Sequence, residues 1–108
     1  MNQGNDMDGY IKLNRDFCEW EWFDDPATLK IFIYLLANAQ VGPKKWRGIS
    51  AESGQIITST LKLSNKCHLS IQSVRTSLKR LRSSGEITSK ATNKYTIITI
   101  ANWSEYAE

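Results

Sequence analysis

The clearest pattern in the chain runs from Ile71 to Ser83, where apolar residues recur at intervals of three, four and three. The residues of this stripe are Ile71, Val74, Leu78 and Leu81. Because an α-helix turns through about 100° per residue, these side chains share one face. The pattern predicts a helix over 71–83 with one buried face. Ser70 is placed to cap its start, and Gly85 follows as a signal for its end.

A shorter helix is predicted just before this one. Leu61, Leu63 and Cys67 mark about two helical turns from Thr60, with Ser59 or Thr58 as the cap. The residues between the two helices, Leu69-Ser70, form a tight turn. Gly54–Thr58 looks like a strand that leads into the first of the two helices. The region therefore reads as a strand followed by a helix-turn-helix.

Two further strands are predicted after the second helix. Residues 86–90 and 94–101 are rich in Ile, Thr and Tyr, which favour strands, and Ala91–Asn93 is the tip of the hairpin between them. Earlier in the chain, Asp25 and Pro26 suit the cap and first position of a helix that runs to about Gln40. This helix is apolar nearly all round, which predicts that it is central and buried.

The N-terminal part has weaker patterns. Residues 1–9 are rich in Asn, Asp and Gly and predict a flexible leader, so residues 10–108 form the single domain that a chain of 108 residues supports. Tyr10–Leu13 alternates like a short strand, and Arg15–Trp22 has helical spacing. The order of elements predicts an α+β fold of the winged helix-turn-helix kind. It has three to four helices, a small antiparallel sheet and a C-terminal β-hairpin as the wing.

Positive charge is concentrated in the same region. Eight of the fourteen Lys and Arg residues lie between Leu61 and Lys94, together with Glu86 as the one acidic residue, and acids outnumber bases elsewhere. A helix-turn-helix with a basic second helix and a basic hairpin is a plausible surface for double-stranded DNA. The charge bears on the partner and not on the fold.

The candidate DNA-binding residues are Ser70, Gln72, Ser73, Arg75, Thr76, Lys79, Arg80, Arg82, Lys90 and Lys94. Small polar side chains near the start of the second helix, Gln72, Ser73 and Thr76, are candidates for base edges. Further along the helix, Lys79, Arg80 and Arg82 are expected to meet phosphates, which set affinity and not sequence choice. A solvated helix face is the alternative for these three.

Other basic and aromatic residues leave two interpretations open. Lys90 and Lys94 flank the hairpin tip and could reach DNA, or could be a charged edge that discourages strand pairing. Lys44–Ile49 is a basic, aromatic loop or a short strand. Its residues Lys44–Arg47 could clamp nucleic acid, or Trp46 could anchor a surface loop. Trp20, Trp22 and Phe23 could stack on single strands, although core packing or a partner interface is more typical of such residues.

No pattern indicates catalysis, a metal or a cofactor. His68 is the only histidine and has no nucleophile or carboxylate at telling spacing, so no enzyme is expected. Two cysteines and one histidine are too few for a zinc site, which needs about four ligands. No segment reaches the roughly 20 apolar residues of a membrane span. A cytoplasmic protein without a membrane partner is expected.

Several motifs, taken in order, resemble a known family. They are Trp20-Glu21-Trp22-Phe23, Asp25-Pro26, Leu35–Asn38, Trp46-Arg47-Gly48, Gly54–Ser59, Leu69–Leu78, Gly85–Thr88 and Asn93-Lys94-Tyr95. Together they resemble the N-terminal winged-helix domain of phage replisome organisers and DnaD-like primosome proteins, over roughly Gly9 to Tyr106. The resemblance implies a replication protein that binds origin DNA or assists helicase loading. It also implies homo-oligomers formed through the N-terminal segment and contacts with replication proteins such as a helicase loader.

The sequence therefore predicts a DNA-binding winged-helix domain of a phage or bacterial replication-initiation protein. A winged-helix transcriptional regulator would use the same surface. From a different class, a protein-interaction or oligomerisation module would leave the basic face idle. The dimer of such a module would depend on Ile11, Leu13 or the region Trp20–Phe23.

Overall fold

Three helices and five strands follow one another in the computed structural model, which describes residues 9–107 and every side chain among them except that of Trp46. The predicted leader, residues 1–9, lies outside the described residues except for Gly9. In chain order the elements are α1 (Pro26–Asn38), β1 (Lys44–Trp46), β2 (Ile49–Ala51), β3 (Gln55–Thr58), α2 (Thr60–Cys67), α3 (Ile71–Ser83), β4 (Ile87–Ala91) and β5 (Thr96–Ile100). The predicted α+β class is confirmed.

Each helix begins at a capping side chain. Asp25 accepts a hydrogen bond from the backbone N–H of Thr28 at the start of α1, where Pro26 takes the first position. Ser59 accepts from the N–H of Lys62 in α2, and Ser70 accepts from the N–H of Ser73 in α3. These bonds satisfy backbone donors that have no partner within the helix. The predicted starts of all three helices are confirmed.

The main sheet has three antiparallel strands in the order β3-β5-β4. Thr58 pairs with Thr96 at one end of β3, and Ala91 pairs with the same Thr96 across the hairpin. Strand β3, which precedes the helix-turn-helix, therefore closes a sheet with the hairpin that follows it. A separate pair of strands, β1 and β2, forms a second hairpin over the segment predicted as a basic loop or a short strand, and the short strand is confirmed as β1.

The core lies between the helices and the inner face of this sheet. Its fully buried side chains include Ile31, Phe32 and Leu35 from α1, Leu63 from α2, Val74 and Leu81 from α3, and Ile87 and Ile98 from the sheet. A buried hydrogen bond of 3.0 Å between Thr28 Oγ1 and Ser77 Oγ joins α1 to α3. This bond satisfies the Ser77 hydroxyl, which is 1% exposed.

The N-terminal segment packs on this core through its aromatic residues. The segment predicted as a helix over 15–22 forms a 3₁₀ helix over Arg15–Glu19 instead. The Trp20 ring lies 4.9 Å from that of Phe32, and its Nε1 donates to Glu86 Oε2 at 2.8 Å. Trp22 Nε1 donates to Ser84 Oγ at 2.9 Å. Of the interpretations left open for Trp20 and Trp22, packing within the domain is confirmed.

The two ends of the described chain meet. Ile11 forms a single antiparallel bridge with Ala107, and the N–H of Lys12 donates to the carbonyl of Tyr106 at 2.7 Å. The strand predicted at Tyr10–Leu13 is reduced to this bridge. Cys67 is buried in the core and Cys18 is exposed, and both are free thiols.

Candidate nucleic-acid interface

Helix α3 presents a polar face away from the core. Val74, Ser77, Leu78 and Leu81 are buried along one side of the helix. At about 100° per residue, Gln72 and Lys79 lie on the opposite side, and both are exposed. Thr76 lies beside them and is half-buried. Three of the candidate DNA-binding residues, Gln72, Thr76 and Lys79, therefore lie on the side of α3 that faces away from the core.

The small polar residues at the start of α3 are bonded to one another. Ser70 caps the helix, and its hydroxyl also donates to Ser73 Oγ at 3.0 Å. Gln72 Nε2 donates to Thr76 Oγ1 at 3.3 Å, one turn further along. The bond between Gln72 and Thr76 uses one of the two amide hydrogens of Gln72 and one lone pair of Thr76, so both side chains can also bond to a base edge. The exposed bond of Gln72 costs little to exchange, whereas loss of the Ser70 cap costs about 1 kcal/mol.

Two arginines of α3 face the hairpin. Arg75 and Arg82 are seven residues apart, close to two helical turns, and therefore lie on the same side of the helix. Both line a cavity of about 190 Å³ whose far wall is Ser89, Ala91 and Thr96. Arg82 Nη1 lies 3.5 Å from Ser89 Oγ. The helix and the hairpin thus meet along a gap that carries two guanidinium groups.

This gap continues towards the tip of the hairpin. A second cavity, of about 330 Å³, is lined by Thr60 and Leu61 of α2, by Arg75 of α3, and by the tip residues Thr92–Tyr95. The Thr92 hydroxyl accepts hydrogen bonds from the N–H groups of Lys94 and Tyr95, which fixes the turn. Since Arg75, Thr60 and Thr96 line both cavities, the two form one groove, here called the α3–hairpin groove.

Lys94 and Lys90 have different places on the hairpin. Lys94 lines the α3–hairpin groove at its tip. Strand side chains alternate between faces, and Ser89 and Ala91 of β4 face α3. Lys90 between them therefore lies on the opposite face of the sheet, where it is exposed beside Ile97 of β5. Lys94 therefore lines the same groove as Arg75 and Arg82, whereas Lys90 does not.

Arg80 also points away from the hairpin, towards the start of α1. Its Nη1 forms an ion pair with Asp25 Oδ2, and its guanidinium lies 5.8 Å from the centre of the Trp22 ring. Partial burial raises the pKa of Asp25, but the bonds from Thr28 and Arg80 outweigh that effect and place the pKa below 3.8. The ion pair makes Arg80 a contact between α3 and α1, and its side chain is 46% exposed, so the expected contact with phosphate stays a prediction.

Several residues of the groove are not among the sequence-predicted set. Thr60, Ser89 and Thr96 lie between the basic side chains and can donate hydrogen bonds to phosphate oxygens. Their signal in the sequence is weak, because small polar residues are common in strands and helix starts. Alternation along β4 would have selected Ser89 over Lys90 once the face towards α3 was known.

Neither a metal site nor a membrane span is found in the described chain. Across residues 9–107, no three His, Cys, Asp or Glu side chains are grouped so that they could hold an ion. No helix within the same range has the length and apolar character to cross a bilayer. The side chain of Trp46 lies outside the described side chains, so the clamp considered for it is left as a prediction.

Comparison of the chain with protein-family models, with curated proteins and with solved structures finds no match. The function is therefore inferred from the groove and its charges.

Proposed function

We propose that this chain is a DNA-binding domain with a winged-helix arrangement, and not an enzyme. In this proposal α3 is the helix that faces the major groove, and the β4–β5 hairpin is the wing. The order β3-α2-α3-β4-β5, with β3 paired to β5, supports the arrangement.

The observation that carries the proposal is the charge of the α3–hairpin groove. Arg75, Arg82 and Lys94 line it, and its walls contain no acidic side chain among the described residues. Lys79 adds charge on the adjacent helix face, where it is exposed. A groove between a helix and a hairpin whose charged side chains are all positive attracts a polyanion and holds it in one register. Double-stranded DNA is the partner that fits a helix and a hairpin side by side.

For the biological role we propose replication initiation in a phage or a bacterium. The support is the resemblance of the motifs between Gly9 and Tyr106 to replisome organisers and DnaD-like primosome proteins. Under this proposal the domain works in the cytoplasm with other replication proteins, such as a helicase loader. A transcriptional regulator would use the same groove.

The test is the salt dependence of binding to a duplex, followed by fluorescence anisotropy between about 50 and 200 mM salt. Each neutralised phosphate contributes about 0.9 to the slope of log affinity against log salt concentration. Arg75→Ala combined with Arg82→Ala should lower the slope by about 0.9 for each phosphate that the variant no longer neutralises. The control is Arg15→Ala with Lys30→Ala, which removes the same charge from exposed positions outside the groove.

Equal slopes for the two double variants would exclude the groove as the DNA-binding surface, and no affinity in the wild type would exclude the function.

The interaction-module alternative keeps one observation in its favour, since Leu13 in the N-terminal segment is 43% exposed. It expects no affinity for DNA and a dimer that forms with rising concentration. Sedimentation with and without duplex separates the two.

A further inference from the structure

A further cationic cavity lies beside the α3–hairpin groove. It has a volume of about 350 Å³ and lies between the end of α1, β1, β3, the first turn of α2 and the hairpin tip. Three lysines from three separate elements line it: Lys44 of β1, Lys62 of α2 and Lys94 of the tip. Lys62 is not among the candidate DNA-binding residues, and Lys44 was considered only as part of the basic segment that could clamp nucleic acid. The β1–β2 hairpin is the element that places Lys44 here.

The positive charge of this cavity is not compensated within the described chain. Its walls include no acidic side chain, and no carboxylate of residues 9–107 lies within ion-pair distance of the three lysines. The start of α2 adds the positive end of a helix dipole, because Ser59 and Lys62 are both in the wall. Like charges that share a cavity repel one another, and an anion placed between them removes that repulsion.

The cavity also offers neutral hydrogen-bond donors. Tyr34, Asn38 and Gln40 line it on the side of α1. Burial raises the pKa of the Tyr34 phenol above 10.0, so this hydroxyl keeps its proton at neutral pH. Ammonium groups next to amide and hydroxyl donors are the set that phosphate oxygens accept from.

The cavity is continuous with the α3–hairpin groove. Ser59, Lys94 and Tyr95 line both, so the two meet around the hairpin tip and the first turn of α2. A path of basic side chains then runs from Arg82 and Arg75 through Lys94 to Lys62 and Lys44. A cavity isolated on another face would suggest a small ligand, whereas a continuous path fits a polymer of phosphates.

We propose that Lys44 and Lys62 form a second phosphate-binding segment of the same interface and contact the DNA backbone beyond the hairpin tip. This proposal rests on the DNA-binding function proposed above. The contacts carry no sequence information, because phosphates are alike at every base pair. The segment increases affinity for any duplex long enough to pass the tip.

The experiment compares Lys44→Gln with Lys62→Gln against a matched double variant, Lys45→Gln with Lys66→Gln. The control changes come from the same strand and the same helix, remove the same charge, and lie at exposed positions outside the cavity. We expect the first variant to lower the salt slope by about 0.9 for each phosphate that it leaves unneutralised, and the control to keep the wild-type slope. Lys44→Arg with Lys62→Arg should also keep it, since the charge is retained.

Three other results would overturn the proposal, and they differ from one another. If the wild type has no affinity for the duplex, the proposed function fails and this inference fails with it. If the wild type binds but the two Gln variants have equal slopes, only the second segment fails. If those slopes are equal and inorganic pyrophosphate binds in a way that depends on Lys44 and Lys62, the cavity holds a free phosphate ligand instead of the backbone.

Discussion

Replacing Gly54 by Ala should be among the most damaging single changes in this domain. Gly54 precedes β3 with a φ of +80°, a region that residues with a Cβ rarely adopt. Adding a Cβ there also places it 2.7 Å from Cγ and 2.8 Å from Cβ of Trp103. Rotation about χ1 moves Trp103 Cγ but not its Cβ, which is fixed by the backbone, so side-chain rotation alone cannot remove the overlap with Cβ.

The magnitude follows from two separate costs. The left-handed backbone costs about 1–2 kcal/mol for a residue with a side chain, and overpacking adds about 1–3 kcal/mol. Gly54→Ala should therefore lower the free energy of unfolding by about 2–5 kcal/mol. Gly48 supplies the control, because its φ is also +80° and an added Cβ meets nothing within 4 Å. Gly48→Ala should show the backbone cost alone, about 1–2 kcal/mol.

Urea unfolding followed by tryptophan fluorescence and circular dichroism measures both variants. A double-mutant cycle with Trp103→Ala measures the part of the contact made by the ring, because Gly54→Ala should cost less once the ring is gone although the Cβ at position 103 remains. Equal costs for Gly54→Ala and Gly48→Ala, together with no coupling to Trp103, would refute the close packing of Gly54 against Trp103.

Three more changes test other parts of the structure by urea unfolding. Thr58→Val should raise stability by about 1 kcal/mol, because Thr58 Oγ1 is buried without a hydrogen-bond partner among the described residues. Ser84→Ala should cost about 1 kcal/mol, since Trp22 Nε1 then loses its acceptor. Asp25→Asn should keep the helix cap but lose the ion pair with Arg80. The pKa of Asp25 is below 3.8 in the folded state, so the charged carboxylate stabilises the fold above pH 3.8. The difference in the free energy of unfolding between the wild type and Asp25→Asn should shrink as the pH falls below 3.8.

Local patterns in the sequence predicted most of the elements. The apolar stripe and Ser70 placed α3 over Ile71–Ser83, and Asp25-Pro26 placed the start of α1, since capping and periodicity depend on neighbouring residues only. The hairpin strands were predicted within one or two residues of β4 and β5. The predicted end of α1 at about Gln40 is two residues too late, because the helix ends at Asn38.

What the sequence did not predict depends on contacts between distant residues. Arg80 meets Asp25, 55 positions away, and Trp20 meets Glu86, 66 positions away. The sequence of α3 alone grouped Arg80 with Lys79 and Arg82 as expected phosphate contacts, because it contains no information about α1. The same limit applies to Lys90, whose side of the sheet follows from the packing of β4 against α3.

The β1–β2 hairpin shows a second kind of limit. Three paired residues on each strand are too few for a clear alternating pattern, and the turn residues Arg47 and Gly48 both have positive φ. The sequence therefore left a loop or a short strand open and did not predict the pairing of β1 with β2. Its fold matters for the candidate site, since it brings Lys44 to the cavity beside Lys62.

The most direct test of the central claim is an NMR titration of the labelled domain with a short duplex. Backbone and side-chain signals of Arg75, Arg82 and Lys94 should shift together on addition of DNA, because these residues line one groove. The indole N–H signals of Trp20 and Trp22 should stay in place, because they are bonded to Glu86 and Ser84 on the side towards α1. Shifts at the indoles with none at Arg75, Arg82 and Lys94 would contradict the account.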